Sequence, residues 1–552
     1  MLESHRSSQP STAILLGLDF GTGGAKICAL SPSRGVVHQG YEEYPQYHDQ
    51  PGHSEHDPWH YWDACRRLIR AAVDAVGGHV VAIAVSCALP SLVLVDSHGD
   101  PLGRAINLLD RRASSEVKEV AERLGGDRIQ ELTGNRIEDY PSLVSLMWVA
   151  HNEPDRFERT AKALTIDGFI ALRLSGRPTL NRSGAAFFGV AYDIRAGRFD
   201  QTILDELGIP SGRLPELVDC DEQIGAVDGA VAAELGLAPG CLVAGGQVDC
   251  NAAWIGGGAV SPGDFQLNLG TCGVIGLIHD RPDFLRSTAG RQVVNIPYTT
   301  DVQRVYSAVA VTMTGGQVLR YLRDLTDRDE LGRAARARGV DEYDVLTLAA
   351  ADIRPGSDGL LALPYFMGER VPLWDDGARA AYVGLSLHHG RGHLVRAMLE
   401  GVAYALRWAL DVLRDGQLPI CSPLVLNEGG ARSAVWRRIL TDVLEVRTTV
   451  LVRGGGAALG DAILAGVSAG VFTGFGVARE LCKTGEVLEP DPEAVSVYRE
   501  GLEIFKQTYG ALRGPSERLA AFVRSGSTAV PSETAPRCAL GQPTSIEREI
   551  HA

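Results

Sequence analysis

Nowhere in its 552 residues does the chain hold an uninterrupted apolar run of the ~18 residues that a membrane-crossing helix requires, so no membrane span is expected. Met1 to Thr12 are polar, without the apolar core of a secretory signal, and read as a flexible leader. The ten cysteines are scattered, with no CxxC pair and no regular spacing. That excludes a paired-cysteine zinc site or a disulfide framework and predicts reduced thiols in a cytoplasmic protein. Positive charge is also short: 53 Lys and Arg against 68 Asp and Glu leave a formal charge of −15. Such a field repels polyanions, so nucleic acid is not an expected partner. A single nucleotide remains compatible with it, because N–H groups and a metal ion dominate at short range.

Glycine is what the chain has in excess: 64 residues, about 12% of the total, against ~7% on average. Many backbone positions are therefore tight turns or close approaches. The length exceeds what one core supports, so two large domains are expected.

One short pattern occurs twice. Leu18-Asp19-Phe20-Gly21-Thr22-Gly23-Gly24 follows one apolar run, and Leu267-Asn268-Leu269-Gly270-Thr271-Cys272-Gly273 follows another half a chain later. Each offers bare backbone N–H groups and one hydroxyl at a strand end, and two such turns facing each other would grip a polyphosphate from both sides. Asp19 beside the first turn would repel phosphate unless a cation lay between them, which suits Mg²⁺. Lys26 is either a point charge for a phosphate or a solvent-facing strand lysine.

Around the first turn, strands are predicted at Ala13–Leu18, Ala25–Leu30 and Val36–Tyr44, followed by a helix over Pro58–Val76 capped by Asp57 and strands at Val80–Ser86 and Leu92–Asp96. Three strands, a helix and a further strand make the ribonuclease-H-like unit of actin-like ATPases. The second half reads alike: a hairpin of Asp264–Leu269 and Val274–Ile278, a strand near Arg304–Val309, a helix over His393–Leu413 with a broad apolar stripe, and a strand at Pro423–Leu426. The expected fold is α/β, with two actin-like lobes and a cleft between them. The lobes are assigned to 13–258 and 259–514, divided at Gly256-Gly257-Gly258, and 515–552 reads as a disordered tail.

Gly245-Gly246-Gln247-Val248-Asp249 ends the apolar strand Cys241–Ala244. Asp249 either projects into the cleft as a proton acceptor or caps a helix at Ala252–Ile255. Gly429-Gly430-Ala431-Arg432-Ser433 joins a strand to a helix start, where backbone can approach a base or phosphate. The run Gly454 to Gly460 requires close helix packing or a mobile loop.

In their order from Ile14 to about Tyr509, these segments resemble the FGGY family of carbohydrate kinases, most closely its xylulokinase-like members. Leu16–Thr22 resembles the family's first phosphate motif and Leu269–Thr271 its second. His53–Pro58 and Asn107–Arg112 resemble its sugar-lobe landmarks, Gly245–Asp249 its catalytic-aspartate segment, and Gly368–Pro372 a segment typical of xylulokinases. Ala380–Glu400 fits a family signature, and Gly429–Ser433 resembles the adenosine motif.

The resemblance implies an ATP-dependent sugar kinase in which Asp249 is the base and Mg²⁺ lies near Asp19 and Asp249. It assigns nucleotide contacts to Gly21, Thr22, Gly23, Lys26, Gly270, Thr271, Gly316, Gly429, Gly430 and Ala431, and substrate contacts to Leu89, Pro90, Tyr140, Asp249 and Cys250. A small sugar or polyol is the implied partner, and a homodimer is compatible with it. Three positions depart from the family. Leu89-Pro90 stands where xylulokinases carry Met-His and glycerol kinases Arg-Glu, Cys250 where Asn or Gln is common, and Ser145 where Lys is expected. The pocket has lost polar handles that discriminate among polyols. The resemblance implies a ketopentose such as xylulose first, and ribulose or a glycerol- or erythritol-like polyol next. A non-catalytic sugar or nucleotide sensor on the same fold is the reading from another class.

Overall fold

The computed structural model describes residues 12–76, 79–137, 140–421 and 423–526. The leader, apart from Thr12, lies outside these residues. In the first half, β1 (Ala13–Phe20), β2 (Gly24–Ser31) and β3 (Gly35–Glu43) form an antiparallel meander. Helix α1 (Pro58–Val76) then returns the chain to β4 (His79–Cys87), parallel to β1. β5 (Gln223–Ala226) and β6 (Leu242–Ala244) extend the sheet to the order β5-β6-β4-β1-β2-β3, and the two residues of β7 (Gln247–Val248) also pair with β4. Every side chain of β1 is buried, which is why its sequence is a continuous apolar run and not an alternation.

Helix α2 (Asp249–Gly256) leads through the Gly256–Gly258 run into the second sheet. There β8 (Phe265–Leu269) and β9 (Gly273–His279) form the predicted hairpin. A strand not foreseen, β10 (Val294–Pro297), pairs with β11 (Tyr306–Thr312), which lies slightly later than the predicted Arg304–Val309. Helix α3 (Arg391–Asp415) precedes β12 (Leu424–Asn427), parallel to β8. With β13 (Thr448–Arg453) and β14 (Lys483–Thr484) the order is β10-β11-β9-β8-β12-β13-β14. Both halves thus carry an antiparallel run, β1-β2-β3 in the first and β8-β9-β11 with β10 added at the edge in the second, and after a helix a strand parallel to the run's first strand.

The division at Gly258 does not hold for one helix. α4 (Ala457–Ser468) belongs to the second half by sequence, yet Leu459, Ile463 and Leu464 are buried in the first lobe's core. Burying each such side chain contributes about 1.5–3 kcal/mol. The seat is made by glycines: a Cβ on Gly17 would collide with the Ala458 carbonyl oxygen, and one on Gly460 with that of Ala252 in α2. Close packing accounts for Gly460, whereas Gly454, Gly455 and Gly456 take positive φ of 91°, 92° and 86°.

The tail also departs from expectation. α5 (Pro492–Gly526) continues through Pro515, with Ala520 buried, so residues 515–526 of the expected tail are helical. Residues 527–552 lie outside the described residues. No helix among those described is long and apolar enough to cross a membrane.

Candidate active site

Strand register builds the centre of the site. Asp19 on β1 lies beside Lys26 on β2 and beside Ser86 on β4, and Ser86 lies beside Gln247 on β7. Neighbours in register point to the same face, so one polar row crosses four strands of an otherwise apolar sheet. Lys26 Nζ stands 4.0 Å from Asp19 Oδ2, with the lysine side chain mostly exposed and the carboxylate nearly buried. Burial pushes the Asp19 carboxyl above the ordinary carboxylate range, and the Lys26 charge opposes the rise.

Asp249 is the first residue of α2, and Val248 takes the N-cap position, so Asp249 is not the helix cap. Its Oδ1 accepts the Cys250 N–H at 2.7 Å. Burial and the negative charge of Asp19 push its carboxyl up to about 7, against the opposing effect of that bond and of Lys26. Asp19 and Asp249 therefore share one field. Cys250 is half-buried, and burial and Asp249 hold its thiol protonated.

The Gly21-Thr22-Gly23 turn is braced from behind. Gly21 N–H donates to Gly24 O at 3.0 Å, and Tyr44 OH donates to Gly21 O. His56 Nε2 reaches Thr22 O at 3.0 Å, while its Nδ1 stands 3.2 Å from Asn107 Nδ2. Burial lowers His56 to about 4, so it is a neutral ring that donates to Thr22 O and accepts from Asn107. The segments 53–58 and 107–112 hence brace the Gly21–Gly23 turn. They also hold a buried ion pair of Arg112 with Glu55 and Asp110.

In the second half, Gly270, Thr271, Gly316, Gly429 and Gly430 line one cleft of about 320 Å³ together with Tyr343 and Arg432. Glycine is required there: a Cβ on Gly316 would stand 2.7 Å from Gly270 O, and one on Gly430 2.5 Å from Leu269 Cδ2. Gly429 and Ala431 also line an adjoining cleft of about 450 Å³ that reaches Glu428 and Gly454–Gly456. Glu428 takes a positive φ of 69°, and burial raises its carboxyl while Lys26 of the first lobe lowers it. Lys26 itself lines a third cleft with Gly455 and Gly456. Lys26 of the first sheet thus shares a cleft with the Gly455–Gly456 loop of the second half.

The predicted substrate residues divide. Leu89 is buried in the first lobe's core, whereas Pro90, after a cis peptide bond, lines a narrow cavity with Asn135, Arg136, Pro141 and Phe187. Tyr140 has a positive φ of 55°, its hydroxyl stands 3.2 Å from Ser114 Oγ, and the Arg111 guanidinium lies 4.6 Å from its ring centre.

Residues 14–256 match the N-terminal domain of the FGGY family of carbohydrate kinases, and residues 266–469 match its C-terminal domain. The chain belongs to the FGGY family of carbohydrate kinases. It is 28% identical over 495 residues to the gluconokinase of Bacillus subtilis (strain 168), covering 90% of this chain and 95% of that protein. It is 26% identical over 500 residues to the xylulose kinase of Staphylococcus epidermidis RP62A, covering 90% and 96%. The crystal structure of xylulose kinase from Rhodospirillum rubrum superposes with a TM-score of 0.83 at 29% identity, over 91% of this chain and 99% of that one.

As an FGGY kinase the chain is a phosphotransferase with the two-lobed, actin-like fold, ATP as phosphoryl donor and a small sugar as acceptor. Sequence reasoning did not single out the buried Ser86, Gln247 and Asp461, which hydrogen-bond in a row ending at Asp19. For Asp461 there was a signal, since it is the one ionisable residue in the otherwise apolar helix Ala457–Ser468.

Proposed function

We propose that this FGGY kinase phosphorylates the terminal hydroxyl of a ketopentose such as xylulose, with Asp249 as general base. The observation that carries the reading is the Asp249 carboxyl, raised to about 7 at a helix start and in the field of Asp19. A base tuned near neutrality accepts a hydroxyl proton effectively. The sugar hydroxyl gives its proton to Asp249 as its oxygen forms a bond to the γ-phosphorus, and the bond from that phosphorus to the β,γ-bridging oxygen breaks to leave ADP. Thr22 and Thr271, with the N–H groups around them, hold the phosphates in line from the two lobes.

Asp19 fits a magnesium site, because it is a nearly buried carboxylate beside a phosphate-type turn and Lys26 is 4.0 Å away. Among the described residues no group of three or more His, Cys, Asp or Glu could hold a metal. That agrees with an ion using one or two carboxylates plus phosphate oxygens and water. When bound, Mg²⁺ would neutralise charge on the phosphates.

Relatives named xylulose kinase support the ketopentose. A second reading, a sugar acid such as gluconate, is favoured by the gluconokinase relative and by Arg136 lining the cavity beside Pro90. ADP release measured across xylulose, ribulose, gluconate, glycerol and erythritol separates the two. Asp249→Ala should lower turnover on the best substrate by about 10²–10⁴-fold, the usual contribution of general-base catalysis. Near-normal turnover of that variant would refute the role of Asp249. Silence of the native protein across the panel, with ATP still bound, would point instead to a sensor.

A further inference from the structure

Asp461 is a fully buried carboxyl on α4, and it reaches across the lobes. Its Oδ2 stands 2.6 Å from Ser86 Oγ, which in turn stands 3.4 Å from Asp19 Oδ1. Its Oδ1 accepts from Gln247 Nε2 at 2.9 Å, and Gln247 Oε1 accepts from Thr299 Oγ1 at 2.6 Å. The chain of contacts therefore runs from Thr299, beyond β10, through the end of β7 and α4 to the carboxylate beneath the first glycine turn. Gln247 lies two residues before Asp249.

Among the described residues no lysine or arginine is hydrogen-bonded to Asp461. A buried carboxyl without a cation is costlier than an apolar residue of similar size, so packing of α4 alone gives no reason for an aspartate here.

We infer that Asp461 is a positioning residue for phosphoryl transfer, fixing the direction of the Asp19 carboxylate through Ser86 and the strand end that presents Asp249 through Gln247. The inference rests on the roles proposed above for Asp19 and Asp249. Ser86 has one proton and two carboxyl neighbours. Burial raises the Asp461 carboxyl against the opposing Ser86 and Gln247 hydrogen bonds, and Ser86 Oγ, 2.6 Å from Asp461 Oδ2 and 3.4 Å from Asp19 Oδ1, is held in place by Asp461 where it faces Asp19. The base of α4 begins at the Gly454–Gly456 loop, which lines the cleft with Glu428 and Gly429, so the same helix joins the nucleotide side to this row.

The test uses the full chain and three variants. Asp461→Asn can still accept from Gln247 and donate to Ser86, whereas Asp461→Ala can do neither, and Ser86→Ala cuts the path with Asp461 in place. Calorimetric titration of ADP at stepped Mg²⁺ concentrations reads the Mg²⁺ dependence of nucleotide binding, and ADP release reads turnover. Groups supporting a metal ligand typically carry 10–100-fold in affinity or activity. Asp461→Ala and Ser86→Ala should raise the Mg²⁺ half-saturation by about that factor, with turnover falling in parallel. Asp461→Asn should recover to within about threefold. Melting temperatures that fall with an unchanged Mg²⁺ dependence would make Asp461 packing only and overturn the inference. If Asp461→Ala does not fold, Ser86→Ala decides by the same criterion. Loss of activity in Asp249→Ala together with no Mg²⁺ shift here would sink this inference and leave the proposed function standing.

Discussion

A methyl group placed at Gly460 would meet the backbone of α2 head-on, standing 2.7 Å from the Ala252 carbonyl carbon and closer still to its oxygen. Neither atom belongs to a flexible side chain, so the two helices must part. Overpacking of this kind costs about 1–3 kcal/mol. For a lobe of 150–250 residues each kcal/mol lowers the melting temperature by roughly 2–4 °C, so Gly460→Ala should melt roughly 2–12 °C below the native protein. Activity should fall as well. α2 carries Asp249 at its first residue, and a displacement near 1 Å at a reacting group costs on the order of 10²-fold. Gly510→Ala is the matched control: it is an exposed helical position of α5 with no atom within 4 Å of the added carbon. There the same substitution should stabilise by about 0.5–1 kcal/mol, because alanine loses less backbone entropy in a helix. Differential scanning calorimetry and ADP release on the two variants give the comparison. A Gly460→Ala protein with native melting and turnover would refute the tight α2–α4 crossing and the way it seats Asp249.

Two further outcomes follow from buried charge. A base with its carboxyl near 7 works only when ionised, so kcat/KM should be level above that pH and fall about tenfold per unit below it; a flat profile from pH 5.5 to 8 contradicts the assignment. Glu400 on α3 accepts from Arg396 Nε at 2.8 Å, Ser357 Oγ at 2.7 Å and Tyr498 OH at 2.9 Å, all buried. Glu400→Ala leaves the Arg396 charge without its carboxylate, which should cost about 3–5 kcal/mol. An unchanged urea midpoint would show that the network relaxes without cost.

The strands and α1 were legible because local signals coincide there: continuous apolar runs, glycine turns, and Asp57-Pro58 at a helix start. The turns that hold Asp19, Thr22, Gly270 and Thr271 could be read because each is made by adjacent residues at a strand end. The brace of His56 and Asn107 behind Thr22 was not legible, since it depends on a pairing 51 residues apart. Asp461 was hidden for a related reason: its partners Ser86 and Gln247 are 375 and 214 residues away. The length of α5 was obscured by Pro515, which locally argues against a helix, while the burial of Leu502, Phe505 and Tyr509 argues for one. The sequence does not distinguish Leu89 from Pro90, of which the first joins the core and the second lines a cavity.

The seating of α4 bears on how the molecule is made. During synthesis the strands Ala13–Phe20 and His79–Cys87 leave the ribosome long before residues 457–468 exist, so one face of the first sheet waits uncovered for most of translation. A fragment cut after the N-terminal family domain would lack the helix that covers that face, so the point where the sequence looks most divisible is not where the first core is complete.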